Sequence, residues 1–163
     1  MAIKNGFSLI ELTVVIGLIS LLTLAISASL LANLMASNRL RNTTAIKQAG
    51  NYVLDQFQTL LRNAKAIDSC DSSANTITIT NFDGYSTTLA TEIASSNTLI
   101  ASNSGVFLTP SSLNVSNYSI TCYPSDTNPQ LVSVSFDLAN PSIVHARESR
   151  TLHFETSVNL RNQ

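Results

Sequence analysis

From Leu12 to Asn38 the chain carries no charged residue and no proline, and that run constrains everything else about it. Val14 to Ile26 and Leu30 to Leu34 supply large apolar side chains at most positions. As a helix rising about 1.5 Å per residue, the run is longer than the roughly 30 Å hydrocarbon core of a bilayer. The composition, 44% hydrophobic and 12% charged, is weighted by this one segment. The remainder of the chain is rich in Ser, Thr and Asn, as an exposed extracytoplasmic surface is. A length of 163 residues suits one domain with an appendage.

An ionisable residue, Glu11, stands at the head of the run, inside the stretch Gly6-Phe7-Ser8-Leu9-Ile10-Glu11-Leu12. A cleaved secretory signal would use Lys4 as its basic region and end near Ala25 to Ser29. The run exceeds a signal core of about 7–15 residues, and a charge at mid-bilayer costs about 2.5–3.5 kcal/mol. An ordinary single-pass anchor explains the length but gives Glu11 no purpose. Cleavage between Gly6 and Phe7 does. Phe7 then bears a new α-amine, and Glu11 lies in the first helical turn, where helix dipole and adjacent cation both favour a carboxylate. A charge removed from water is tolerated when paired, and an amine from a neighbouring subunit serves equally well.

A short leader with a lysine, then Gly6 followed by "FSLIELTVVIGLISLL", resembles the amino-terminal signal of type IV prepilins and pseudopilins. The resemblance implies a prepilin peptidase that cleaves after Gly6 and N-methylates Phe7. It implies other pilin or pseudopilin subunits as partners, and an inner-membrane assembly platform. The filament core would be a bundle of these helices, with Glu11 meeting a neighbour's Phe7 amine and setting axial register. Many major pilins have a proline where this chain has Ala28 and a glycine where it has Ser20. Lacking both breakers, the chain resembles a minor pilin or pseudopilin more, and Glu11 sets it apart from the family's Glu-less tip subunit. Arg39 and Arg41 follow the run while Lys4 precedes it, so charge bias does not support the expected N-in, C-out topology. That orientation rests on the motif and the cysteines.

Beyond the run the pattern becomes amphipathic. Ile46, Ala49, Val53, Phe57, Leu60, Ala64 and Ile67 step by three and four, with Lys47, Asn51, Asp55, Gln58, Arg62 and Lys65 opposite, a stripe that packs on a sheet. One helix from Phe7 to Ile67 is expected. "TITITNFDGYSTTL" reads as a hairpin turning at Asp83-Gly84 in a two-residue loop. "NYSITCY" places Tyr118, Ile120 and Cys122 on one face. "QLVSVSFDL" alternates Val132, Val134, Phe136 and Leu138 inward, and "RTLHFETSVNL" repeats this with Leu152, Phe154, Thr156, Val158 and Leu160. The expected fold is therefore α+β, a long helix packed on an antiparallel sheet with one solvated face. It divides into a leader (1–6), an apolar membrane or filament-core helix (7–37), an amphipathic stem (38–67) and a β-sheet head (68–163). "LTP" at Leu108 to Pro110 and the closing "VNLRN" also resemble minor pilin heads, and 140–149 reads as a loop.

Two cysteines are present, Cys70 and Cys122. A bond between them would staple the end of the stem to the sheet and requires an oxidising compartment; two separate buried thiols are the alternative. No nucleophile–base pair marks an enzyme, and no cofactor or metal is expected. His145 and His153 read as solvated, Asp68 and Asp71 as turn formers. The Asn42, Asn114 and Asn117 sequons are what chance gives in a chain so rich in Asn, Ser and Thr. Past Ile67, Arg147, Arg150 and Arg161 face Asp68, Asp71, Asp83, Glu92, Asp126, Asp137, Glu148 and Glu155, an acidic balance unsuited to phosphate. Nucleic acid is therefore not an expected partner. The competing class is a membrane-tethered adhesion or binding module that does not polymerise.

Overall fold

A computed structural model describes residues 8–103, 105–127, 129–141 and 150–160. The Gly6–Phe7 junction, His145 and most of the 140–149 loop lie outside them. Helix α1 spans Leu9–Arg62. Seven strands follow: β1 (Ala64–Asp71), β2 (Thr76–Asn81), β3 (Ser86–Ala94), β4 (Asn97–Ser102), β5 (Asn114–Tyr123), β6 (Leu131–Ala139) and β7 (Thr151–Asn159). The class is α+β, but the expected single sheet is two: a four-stranded sheet β1-β2-β3-β4 and a three-stranded sheet β5-β6-β7, antiparallel throughout.

The chain forms two compact units, Met1–Arg41 and Asn42–Gln163. Within the described part of the first, the residues are helical and their large apolar side chains face outward. The second has a core assembled from three sources. Helix α1 contributes Ile46, Val53, Phe57 and Leu61; the four-stranded sheet adds Ile77, Ile79, Leu89 and Ile100; the three-stranded sheet adds Ile120, Val132, Val134, Phe136 and Leu138. Strand β6 follows the alternation in its sequence. Val132, Val134, Phe136 and Leu138 are buried, while Ser133, Ser135 and Asp137 are not.

The buried line on α1 runs Ile46, Gly50, Val53, Phe57, Leu61, so Gly50 and Leu61 stand where the expected stripe has Ala49 and Leu60, which are only partly buried. A Cβ added at Gly50 would land on the ring of Phe154. That ring is stacked on Phe136 with centroids 5.5 Å apart and is only 9% exposed, so an added Cβ must displace a packed ring. About two turns further along the helix Gln58 Nε2 donates to Thr156 Oγ1 at 2.6 Å, tying the helix's polar margin to β7.

Two local expectations need correction. The helix ends at Arg62, after Asn63 N–H donates to Thr59 O at 3.1 Å, and not at Ile67. Residues Ala64 to Asp71 instead pair with β2. Sheet pairing, with Ala64 and Cys70 buried, overrides the helical preference of "AKA". The β2–β3 hairpin is not a two-residue loop. Asn81 N–H donates to Tyr85 O at 2.9 Å and Gly84 N–H to Asn81 O at 3.0 Å, with φ positive at Gly84 (84°) and not at Asp83. That is a three-residue loop closed by a glycine in the left-handed region.

Gly50→Ala weighs two effects against each other. Alanine gains up to about 1 kcal/mol in helix propensity, while overpacking a filled core costs about 1–3 kcal/mol. With both rings held, overpacking wins. The substitution is expected to lower stability by roughly 1–2 kcal/mol, read as a lower denaturation midpoint.

Candidate functional site

Ser8 and Glu11 set the start of α1. Leu12 N–H donates to Ser8 O at 3.2 Å, and Ser8 N–H donates to Glu11 Oε2 at 3.2 Å. Ser8 is thus the N-cap and Glu11 the third helical residue, whose carboxylate reaches back to an orphan amide. Sequence reasoning missed this, although Ser8-Leu9-Ile10-Glu11 carries the S-x-x-E signature of a capping box. A plain anchor therefore does not leave Glu11 without purpose, contrary to expectation, because the carboxylate has a partner in its own chain. Gly6 and Phe7, the expected processing residues, lie outside the described residues.

The apolar segment is equipped for a waterless surrounding. Thr13 Oγ1 donates to Ile10 O at 2.9 Å, Ser20 Oγ to Ile16 O at 2.8 Å, and Thr23 Oγ1 to Ile19 O at 2.9 Å. Each hydroxyl is satisfied by its own helix, the arrangement lipid demands of polar groups. The helix is long and apolar enough to cross a membrane, and no residue of its most apolar stretch is buried.

Cys70 and Cys122 form a disulfide with a Cα–Cα separation of 6.6 Å. It joins β1 of one sheet to β5 of the other. Ser72 Oγ donates to Asp126 Oδ1 at 2.6 Å and accepts from Cys122 N–H at 3.3 Å, so the neighbouring turn is sewn to the bridge. Both sulfurs and the Asp126 carboxylate lie within 4.8 Å of one another. With the sulfurs bonded together, neither is a thiolate available to a metal. Nothing in the sequence singles out Asp126.

The other acids sort by what they hold. Asp71 forms a turn as expected. Its Oδ1 accepts from Ser73 Oγ (2.5 Å), Ser73 N–H (2.9 Å) and Ala74 N–H (2.9 Å). The Ser73 hydroxyl, then the Ala74 and Ser73 amides, hold its carboxyl below the ordinary carboxylate value. Asp68 is not a turn former; its oxygens accept from Thr80 Oγ1 on β2 at 2.8 and 2.7 Å. His153 lies on a solvated strand face as expected but is not alone there. Its Nδ1 lies 2.7 Å from Asp137 Oδ1, and Asn117 Nδ2 donates to Asp137 Oδ2 at 2.7 Å. Asn117, then His153, hold the Asp137 carboxyl below its ordinary value. No sequence spacing shows this cluster, because it depends on the register that sets Asp137 opposite His153.

No protein-family model matches the chain, and no curated protein or solved structure matches it either.

Replacing both cysteines by serine opens a loop closed at a separation of 52 residues. The chain-entropy relation then expects a loss of about 4 kcal/mol, and the native chain should offer no thiol to an alkylating reagent before reduction. Asp71 gives a pH prediction of definite sign. A depressed carboxyl contributes stability above its unfolded value, near 3.8, that is lost as pH falls through the lower folded value. Asp71→Asn is therefore expected to be the less stable at neutral pH, with the gap in melting temperature closing below about pH 4.

Proposed function

We propose that this chain is a structural subunit of a type IV pilus-like filament or of a secretion or competence pseudopilus. The observation that carries the reading is a carboxylate in the first turn of a helix whose next turns bury none of their apolar side chains. An apolar surface of that extent demands a cover. Lipid supplies one before assembly, as for a single-pass cytoplasmic-membrane protein held N-in and C-out. Sister helices supply the other in a cell-surface or periplasmic filament. The disulfide is consistent with a head outside the reducing cytoplasm.

On this reading a prepilin peptidase cleaves between Gly6 and Phe7 and methylates the new terminus, and an inner-membrane platform adds subunits one at a time. Glu11 then serves twice, capping its own helix through the Ser8 amide and pairing with the Phe7 amine of the subunit alongside. The second pairing matters because a lone carboxylate surrounded by apolar side chains is costly. The chain performs no catalysis; its chemistry is recognition and register.

The capping contact favours a second reading, a membrane-tethered binding module that never polymerises, because it partners Glu11 without a neighbour. The two part on processing and assembly. Intact-mass analysis of membrane-extracted protein is expected to give a chain beginning at methylated Phe7; a chain beginning at Met1 contradicts the filament reading. Glu11→Ala should insert in the membrane normally yet fall at least about tenfold in sheared filaments, since breaking a buried pair costs about 3–5 kcal/mol.

A further inference from the structure

On the solvated face of β6 and β7, Asp137 stands opposite His153 and Ser135 opposite Glu155. Residues two apart on a strand share a face, so His153 and Glu155 project side by side. His153 Nδ1 lies 2.7 Å from Asp137 Oδ1, and its Nε2 lies 4.0 Å from Glu155 Oε2. Asp137 is steadied in turn by Asn117 Nδ2 at 2.7 Å. A neutral imidazole has one donor and one acceptor nitrogen. With the Nδ1 proton given to Asp137, the lone pair is on Nε2, which is turned toward a second carboxylate.

A histidine whose far nitrogen is held by a carboxylate is the arrangement that orients imidazole ligands and raises their basicity. We propose that His153 Nε2 and Glu155 Oε2 form a surface site for a divalent first-row transition cation of the zinc class, with Asp137 as the positioning residue and water completing the coordination. Bond lengths of about 2.0–2.2 Å in tetrahedral geometry put two ligand atoms roughly 3.3–3.6 Å apart. The present 4.0 Å separation closes to that by a turn of the Glu155 side chain, which is 64% exposed. Imidazole selects zinc, copper or nickel over calcium and magnesium, which require several oxygens. The two strands beneath are paired along their whole length, so the ligands stand on rigid backbone. The site belongs to the head alone and does not depend on whether the chain assembles.

The test is a titration of the full chain in detergent, in a His145→Ala background that leaves one imidazole, following the His153 ring by nuclear magnetic resonance. Zinc chloride should shift the ring signals saturably, and calcium chloride at equal concentration should not. Glu155→Gln, an exposed change that leaves the fold intact, should weaken binding at least tenfold. Asp137→Asn should weaken it about ten- to a hundredfold and move the ring nitrogen shifts away from the Nδ1–H tautomer, which a loss of mere surface charge would not do. The proposal is overturned if zinc up to about 1 mM leaves the ring unmoved. It is equally overturned if calcium acts as zinc does, or if Glu155→Gln binds like the parent.

Discussion

The line Ile46, Gly50, Val53, Phe57, Leu61 on α1 is what allows two small sheets to share one core. One sheet has four strands and the other three, and the buried residues of both join those of the helix in one cluster. The helix puts one face against both. Its buried side chains each contribute about 1.5–3 kcal/mol by leaving water. At Gly50 the backbone meets the Phe154 edge with no room for a Cβ, which seats the stacked Phe136–Phe154 pair directly on the helix. The Cys70–Cys122 bridge then ties β1 to β5, restraining the two sheets covalently.

How much of this is legible in the sequence depends on how faithfully each segment keeps its period. β6 and β7 read correctly residue by residue, because Val132 to Leu138 and Leu152 to Val158 alternate without interruption. β1 does not. Its pairing with β2 carries irregularities between Ala64 and Ala66 and between Ile67 and Ser69, which blur a period of two. Phe57, Leu60, Ala64 and Ile67 meanwhile keep a helical spacing past the point where the helix stops. The hairpin at Asp83-Gly84 is legible, but its loop length follows from Asn81 pairing with Tyr85, a choice no dipeptide makes. The disulfide pairing is expected from two cysteines alone, but not what it joins: the expected staple from the end of the stem to the sheet is instead a bond between two sheets, because the helix ends at Arg62 and Cys70 lies on β1. The Asp137–His153 contact is not, since it arises from the register of two strands joined by a long connection.

The apolar segment poses the functional question in its simplest physical form. A helix with outward Leu, Ile and Val along most of its first half, and with the hydroxyls of Thr13, Ser20 and Thr23 bonded to its own carbonyls, is suited to lipid or to other helices of its kind. The carboxylate at its head, Glu11, already has a hydrogen bond from Ser8. That bond offsets part of the charge's cost and does not neutralise it. A neutral amide in the same place could accept the same bond. Glu11 therefore carries something glutamine would not, namely charge, which the helix dipole favours at this end and which, in a surrounding of apolar helices, calls for a cation to meet it.

Glu11→Gln tests that claim most directly. Glutamine retains the capping hydrogen bond and removes the charge, so helix start and membrane insertion should match the parent. The quantity to measure is the fraction of mature subunit recovered in sheared filaments, with parent and variant expressed at equal levels. Pairing between Glu11 and a neighbour's Phe7 amine predicts that the variant falls at least about tenfold, as for loss of a buried ionic partner. Recovery at the parental level would show that Glu11 only caps its own helix, and would contradict a role for its charge in assembly.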